Sequence, residues 1–308
     1  MTLDPDAAAR VASFGDLPPM RVRGLAAVRA AIEGAPLPEN MPAMCDVTET
    51  LADSVPVRIY RPTTDSVGPV LVYFHGGGLV MGSNHSFEPL ARALAAASGA
   101  IVVAVDYRLA PESPPPAQFD DAYAATEWAA RQPWTDDLVV VGDSAGGALA
   151  AGVALAARDR HGPGICLQVL LYPGLDRDMT APSIIYLADA PMLCRDDIDY
   201  LHGLAHCDAD PYLVPAYAED LSGLPPAIVV TAGCDPIRDW GERYADRLRE
   251  AGVQTTLTRY PGMYHGFLMR PEATARGRLA IAELGGLLRA KFAHPLPFCD
   301  KTSSLPTP

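Results

Sequence analysis

The stretch Leu138-Val-Val-Val-Gly-Asp-Ser-Ala-Gly-Gly147 decides how this chain is read. An apolar run suited to a buried strand stops at Gly142, a single hydroxyl follows at Ser144, and Ala148-Leu-Ala-Ala151 then begins a helix. A Gly-x-Ser-x-Gly between strand and helix turns the backbone so sharply that the serine side chain stands clear of both neighbours. Glycine at 142 and 146 removes Cβ atoms where strand and helix pack closely. By itself the motif is a weak signal, because any strand-to-helix turn favours glycine and serine. Its meaning depends on whether the rest of the chain supplies a base, an acid and a site for negative charge.

Around this turn, short apolar strands alternate with helical patterns. Val70–Phe74, Ile101–Tyr107, Leu138–Val141, Leu167–Tyr172, Ala227–Ala232 and Gln254–Tyr260 read as strands. Helices are expected over His85–Ser98, Gln118–Arg131, Ala145–Asp159, Asp239–Ala251 and Glu272–Phe292. Continuous apolar strands separated by helices predict an α/β protein with a mostly parallel sheet covered on both faces. Val47–Leu51 and Val55–Tyr60, joined by Ala52-Asp-Ser54, predict an antiparallel hairpin at its edge. One further helix is expected over Val22–Ile32. The alternation breaks between Pro173 and Pro226, where Asp196 or Asp197 can cap a helix running through Leu201. That excursion and the N-terminal helices are expected to form a cap over the carboxyl ends of the strands, the end at which open α/β sheets bind ligands.

The chain has 308 residues, 49% of them hydrophobic, and a formal charge of −13. That length holds one large α/β domain or two smaller ones. The acidic balance disfavours nucleic acid and anionic lipid and leans toward a neutral or cationic small molecule. No apolar run approaches the roughly 20 residues of a membrane span, and no signal-peptide pattern opens the chain, so a cytoplasmic location without stable membrane insertion is expected. Cysteines 45, 166, 194, 207, 234 and 299 form no CxxC pair and no metal-finger spacing, which points to mostly reduced, buried thiols in a reducing compartment.

A serine nucleophile needs a histidine base and a carboxylate that holds the imidazole tautomer. His265, in Tyr260-Pro-Gly-Met-Tyr-His-Gly-Phe267, falls in a loop past the last strand, at the same sheet edge as Ser144. Asp235 follows the strand Ala227–Ala232, whereas Asp239 is better placed to cap the next helix. Asp235 is therefore taken as the acid, in the chain order serine, acid, histidine. Upstream, His75-Gly-Gly-Gly78 leaves backbone N–H groups uncovered by side chains, able with the Ala145 N–H to hold a developing alkoxide. A phosphate cradle is disfavoured, since neither a P-loop lysine nor a G-x-G-x-x-G fingerprint is present.

These motifs, with Tyr107-Arg-Leu-Ala-Pro-Glu112 and Asp235-Pro-Ile-Arg-Asp239, resemble the hormone-sensitive-lipase-like family of microbial carboxylesterases over about residues 47–293. The resemblance implies an α/β-hydrolase fold with a helical cap, no cofactor and no metal. It also implies esters of short to medium acyl chains as small-molecule substrates, and homodimers in many members. By analogy Ser144 is the nucleophile, Asp235 the acid and His265 the base. Gly77, Gly78 and Ala145 are the oxyanion donors, with His75 and Gly76 supporting the loop. The chain then divides into N-terminal cap helices (1–45), a first core part (46–173), a cap insertion (174–224), a second core part (225–294) and a loose C-terminal tail (295–308). Two departures stand out: Leu79 where many relatives carry an aromatic, and Ser113 where they often carry histidine.

An amidase or formamidase could use the same triad, and a non-catalytic small-molecule receptor could reuse the fold. A rival metal site at His202 and His206, with Cys207, Asp208 and Asp210 nearby, lacks the glutamate of His-Glu-x-x-His, and a solvated cap surface is the expected reading.

Overall fold

The computed structural model describes residues 2–207 and 209–294, so the expected loose tail, with Cys299, lies outside the described residues, as does Asp208. Eight strands form one sheet: β1 (Asp46–Ala52), β2 (Val55–Arg61), β3 (Gly68–Phe74), β4 (Ile101–Val105), β5 (Thr135–Asp143), β6 (Leu167–Leu171), β7 (Ala227–Cys234) and β8 (Thr255–Tyr264). Their spatial order is β1-β2-β4-β3-β5-β6-β7-β8. The β1–β2 hairpin and the β2–β4 pair are antiparallel, and every pair from β4 to β8 is parallel.

Among the described residues there are ten α-helices: α1 (Pro5–Ala12), α2 (Met20–Arg23), α3 (Leu25–Glu33), α4 (Glu88–Ser98), α5 (Ala117–Ala130), α6 (Ala145–Asp159), α7 (Pro182–Tyr186), α8 (Arg195–Leu204), α9 (Arg238–Glu250) and α10 (Ala275–Ala293). Successive strand residues point to opposite faces, and both faces here are buried. Val70, Val72 and Phe74 of β3 pack with Phe119, Leu149 and Tyr244 of α5, α6 and α9. Leu71 and Tyr73 pack on the other side with Leu90 and Leu284 of α4 and α10. The continuous apolar runs of the strands follow from this double coverage.

Several elements differ from expectation for local reasons. The helix expected over Val22–Ile32 is two helices, because Gly24 adopts φ +78 between α2 and α3. α4 begins only at Glu88, since Ser83 Oγ accepts from the N–H groups of His85 and Ser86 and holds that segment as a turn. The closing helix starts at Ala275, where the Thr274 hydroxyl caps it by accepting from Gly277 N–H (3.0 Å). The N-cap position of α8 is Cys194, and Asp197, three residues inside, closes a capping box by accepting from the Cys194 N–H (3.3 Å); it also accepts from Met20 N–H of α2 (2.6 Å). Arg21 also reaches Asp196 and Asp199, so α2 lies against α8. By contrast, α1 docks on the end of β8, where Gly262 C=O accepts from Asp4 N–H (3.0 Å).

Candidate active site

The turn after β5 holds Ser144 at φ +54, ψ −120, a conformation rarely adopted by non-glycine residues. Its N–H donates to Leu171 C=O (2.9 Å), and its own carbonyl accepts from Gly147 (3.0 Å) and Gly174 (2.8 Å). The sharpness of the turn depends on close backbone approach: a Cβ at Gly142 would sit 1.9 Å from the Gly146 oxygen, and one at Gly146 would sit 2.0 Å from Phe74 C=O at the end of β3.

β8 runs four residues past its expected end, through Tyr264, so His265 leaves the strand directly instead of occupying a longer loop. The register shift between Ala232 and Cys234 on β7 accommodates the extension. His265 Nε2 lies 2.8 Å from Ser144 Oγ, and His265 Nδ1 lies 2.8 Å from Asp235 Oδ2. Asp235 is fully buried, and its other oxygen accepts from Ile237 N–H (2.9 Å). The Tyr172 ring stands edge-on to the imidazole, with centroids 5.2 Å apart.

Asp239 does not cap α9, whose N-cap is Ile237. Its carboxylate accepts from Ser183 N–H of α7 (2.8 Å) and pairs with Arg238 (2.8 Å). Both of its oxygens are engaged away from His265.

The glycine loop closes the other side. Gly77, Gly78 and Leu79 have φ of +109, +64 and +63 in the order 77, 79, 78, three consecutive left-handed residues. Among the described residues, the N–H groups of Gly77, Gly78 and Ala145 donate to no protein acceptor. Gly76 N–H instead donates to Asp143 Oδ1 (2.9 Å), which also accepts from Tyr73 O–H (2.6 Å). Burial pushes the Asp143 carboxyl up to about 6. His75 is buried between Tyr107 (4.3 Å) and Phe87 (5.2 Å), and burial lowers its pKa. Its Nδ1 sits 2.7 Å from Gly76 C=O, while Tyr107 O–H donates to His75 C=O (2.6 Å). A neutral ring with the proton on Nδ1 fits these contacts.

A cavity opens over Ser144, walled by Leu79, Leu193, Leu201, Leu213, Ile237 and Trp240, with Asp176, Arg177 and His202 as its polar lining. His202 stacks on Trp240 (centroids 5.9 Å, 14° between planes), and burial together with Arg177 lowers its pKa to about 4. The expected solvated surface is therefore corrected: His202 lines the cavity, whereas His206 lies beyond the end of α8 and is exposed. The two imidazoles do not share a helix face, because α8 ends at Leu204. Among the described residues, no group of three or more His, Cys, Asp or Glu side chains is placed to hold a metal ion.

The fold brings the expected residues Ser144, Asp235, His265, Gly77, Gly78 and Ala145 to one sheet edge. Asp143 and Tyr73 support the glycine loop without any sequence signal for that role, and His202, expected on a solvated surface, faces the cavity. Asp143 stood inside the quoted motif, but nothing local showed that its carboxylate turns back under the glycine loop.

A family model described as alpha/beta hydrolase fold matches residues 71–269. The chain is 45% identical over 249 residues to carboxylesterase NlhH of Mycobacterium tuberculosis, covering 74% of this chain and 77% of that protein. It is 39% identical over 281 residues to esterase LipI of the same species, covering 84% and 88%. A hyperthermophilic esterase from the archaeon Pyrobaculum calidifontis superposes with a TM-score of 0.84 at 33% identity, covering 94% of this chain and 99% of that one. The chain belongs to the alpha/beta hydrolase fold family. Within it, the chain falls with the hormone-sensitive-lipase-like esterases.

Proposed function

We propose that this carboxylic ester hydrolase works through an acyl-enzyme formed on Ser144. The observation that carries the reading is the relay of two 2.8 Å contacts, Ser144 to His265 and His265 to Asp235, beside three N–H groups that meet no acceptor among the described residues. His265 Nε2 takes the hydroxyl proton as Ser144 Oγ bonds to the ester carbonyl carbon. Gly77, Gly78 and Ala145 receive the oxyanion, and Asp235 holds Nδ1–H and stabilises the imidazolium. The C–O bond to the alcohol then breaks, with the proton passing from Nε2 to the leaving oxygen. Water, deprotonated by the same nitrogen, then attacks the acyl carbon; the bond to Ser144 Oγ breaks, Nε2 returns the proton to that oxygen, and the acid is freed.

The apolar cavity walls suit short- to medium-chain acyl groups. We assign α2, α3 and residues 174–224 to a cap that shapes this cavity, on the α2–α8 contact and on the cavity residues contributed by α8. The substrate is a small-molecule ester, and a homodimer is part of the proposal by family analogy. No helix among the described residues is long and apolar enough to cross a membrane. A reducing, cytoplasmic setting is part of the proposal, supported by the free thiols of Cys45, Cys194 and Cys234; of these Cys234 is buried, whereas Cys45 is exposed and Cys194 half-buried.

The test is a panel of chromogenic esters of increasing acyl length, with an anilide and a Ser144→Ala control. Ester turnover that falls by about 10⁶ in kcat in the alanine variant, with an unchanged melting temperature, is expected. Near-normal turnover by a folded Ser144→Ala protein would refute the assignment, and preference for the anilide would replace esterase by amidase.

A further inference from the structure

The glycine loop carries three consecutive left-handed residues, and Leu79 lacks the freedom of glycine at φ +64. Such a conformation persists only where the surroundings hold it. Inside the loop, Gly77 C=O accepts from Val80 and Met81 N–H (both 3.1 Å). From outside, Tyr107 holds His75 C=O at the start, and Ala110 N–H donates to Leu79 C=O (2.9 Å) at the end. Asp143 accepts from Gly76 N–H at the base of the loop (2.9 Å), and a further hold comes from the N-terminal helix α3. Arg29 of α3 donates from Nε to Val80 C=O (2.6 Å) and from Nη2 to Ala110 C=O (2.8 Å). A two-point contact with Glu112 (2.7 and 2.8 Å) fixes the plane of its guanidinium. Arg29 thus ties together the loop and the segment that backs it.

Resting on the reading that Gly77 and Gly78 receive the oxyanion, we propose that Arg29 is a positioning residue for the oxyanion loop, so that the N-terminal helix α3 sets the catalytic geometry. Planar guanidinium geometry is required, because two carbonyls and a carboxylate are engaged at once. Neither carbonyl is in the ester's path, so loss of Arg29 acts on the position of the loop and not on substrate contact.

The prediction separates transition-state from ground-state binding. Removing one oxyanion donor outright costs about 10²–10³ in kcat, and a loop that relaxes keeps part of that stabilisation. Arg29→Met is therefore expected to lower kcat by about 10- to 100-fold with KM within about threefold. Arg29→Lys, which restores charge and one donor group, should recover part of the loss. Arg21→Met serves as the control for a loosened cap, since Arg21 ties α2 to α8 through Asp196 and Asp199 without touching the loop; its kcat should stay within about twofold.

A folded Arg29→Met enzyme with kcat within twofold of wild type would overturn the proposal. So would an equal loss in Arg21→Met, or a loss confined to KM. If Arg29→Met does not fold, Arg29→Lys decides: at least a threefold kcat loss with KM kept supports the role, and unchanged kcat overturns it. Labelling of the wild type at Ser144 by a fluorophosphonate tests the underlying reading separately, because failure to label strikes the nucleophile assignment whatever Arg29 does.

Discussion

Replacing Asp235 by asparagine tests the relay at its buried end. The carboxylate is fully buried and engages two donors at once: Oδ2 faces His265 Nδ1 at 2.8 Å, and Oδ1 accepts from Ile237 N–H at 2.9 Å. Asparagine offers one acceptor oxygen and one NH2 group. If the oxygen faces His265, the NH2 meets Ile237 N–H, and two buried donors oppose each other at a cost of about 1–3 kcal/mol. If the oxygen faces Ile237, the NH2 points at Nδ1, which must then accept and carry no proton. The second orientation satisfies every group, and it places the ring proton on Nε2, where it cannot receive the Ser144 proton. A loss of about 10⁴ in kcat is expected from this tautomer change, equivalent to about 5.4 kcal/mol of barrier. Asp239→Asn is the matched comparison, because its carboxylate serves Ser183 and Arg238 instead. It should change kcat by no more than about threefold while lowering stability by about 1 kcal/mol through the lost contact at the start of α7. Steady-state hydrolysis of a chromogenic ester, with thermal melts of both variants, reads the two effects. A larger kcat loss in Asp239→Asn than in Asp235→Asn would refute the assignment of the acid.

Asp143, which is buried, and His202, which is half-buried, make opposite predictions for stability against pH. The Asp143 carboxyl is raised from 3.8 to about 6, so the folded state binds its proton more tightly than the unfolded state; relative to Asp143→Asn, the wild type should lose up to about 3 kcal/mol as pH rises from 4 to 6. Urea melts across that window giving a constant difference would contradict the burial argument. His202 is lowered from 6.5 to about 4, so the unfolded state binds its proton more readily; relative to His202→Gln, the wild type should lose about 1–2 kcal/mol as pH falls from 6.5 to 4, after its partial exposure is discounted. A variant whose melting temperature tracks the wild type throughout that range would argue against a neutral, cavity-facing imidazole.

The sequence by itself determined the layered α/β architecture and the turn at Ser144. Both are local properties: strands buried on two faces must be apolar at nearly every position, and a turn this tight must have glycine where a Cβ would meet backbone. Gly142 is explained locally, because its collision is with the Gly146 backbone four positions on, whereas a Cβ at Gly146 would meet Phe74 C=O at the end of β3, a contact that only the folded sheet creates. The tertiary structure decided which carboxylate meets His265, since Asp235 and Asp239 both follow the end of β7, and periodicity does not report the direction of either side chain. It also decided that His202 faces the cavity and that Cys194 takes the N-cap position of α8, with Asp197 closing the capping box from inside the helix. Ser144 and His265 are 121 positions apart and come together because β5 and β8 run parallel in one sheet, with their carboxyl ends on the same edge. Asp143 with Gly76, and Arg29 with Val80, meet by the same long-range closure. Such pairs carry no period and no motif of their own, because their chemistry depends on where the folded chain returns and not on what lies beside them in sequence.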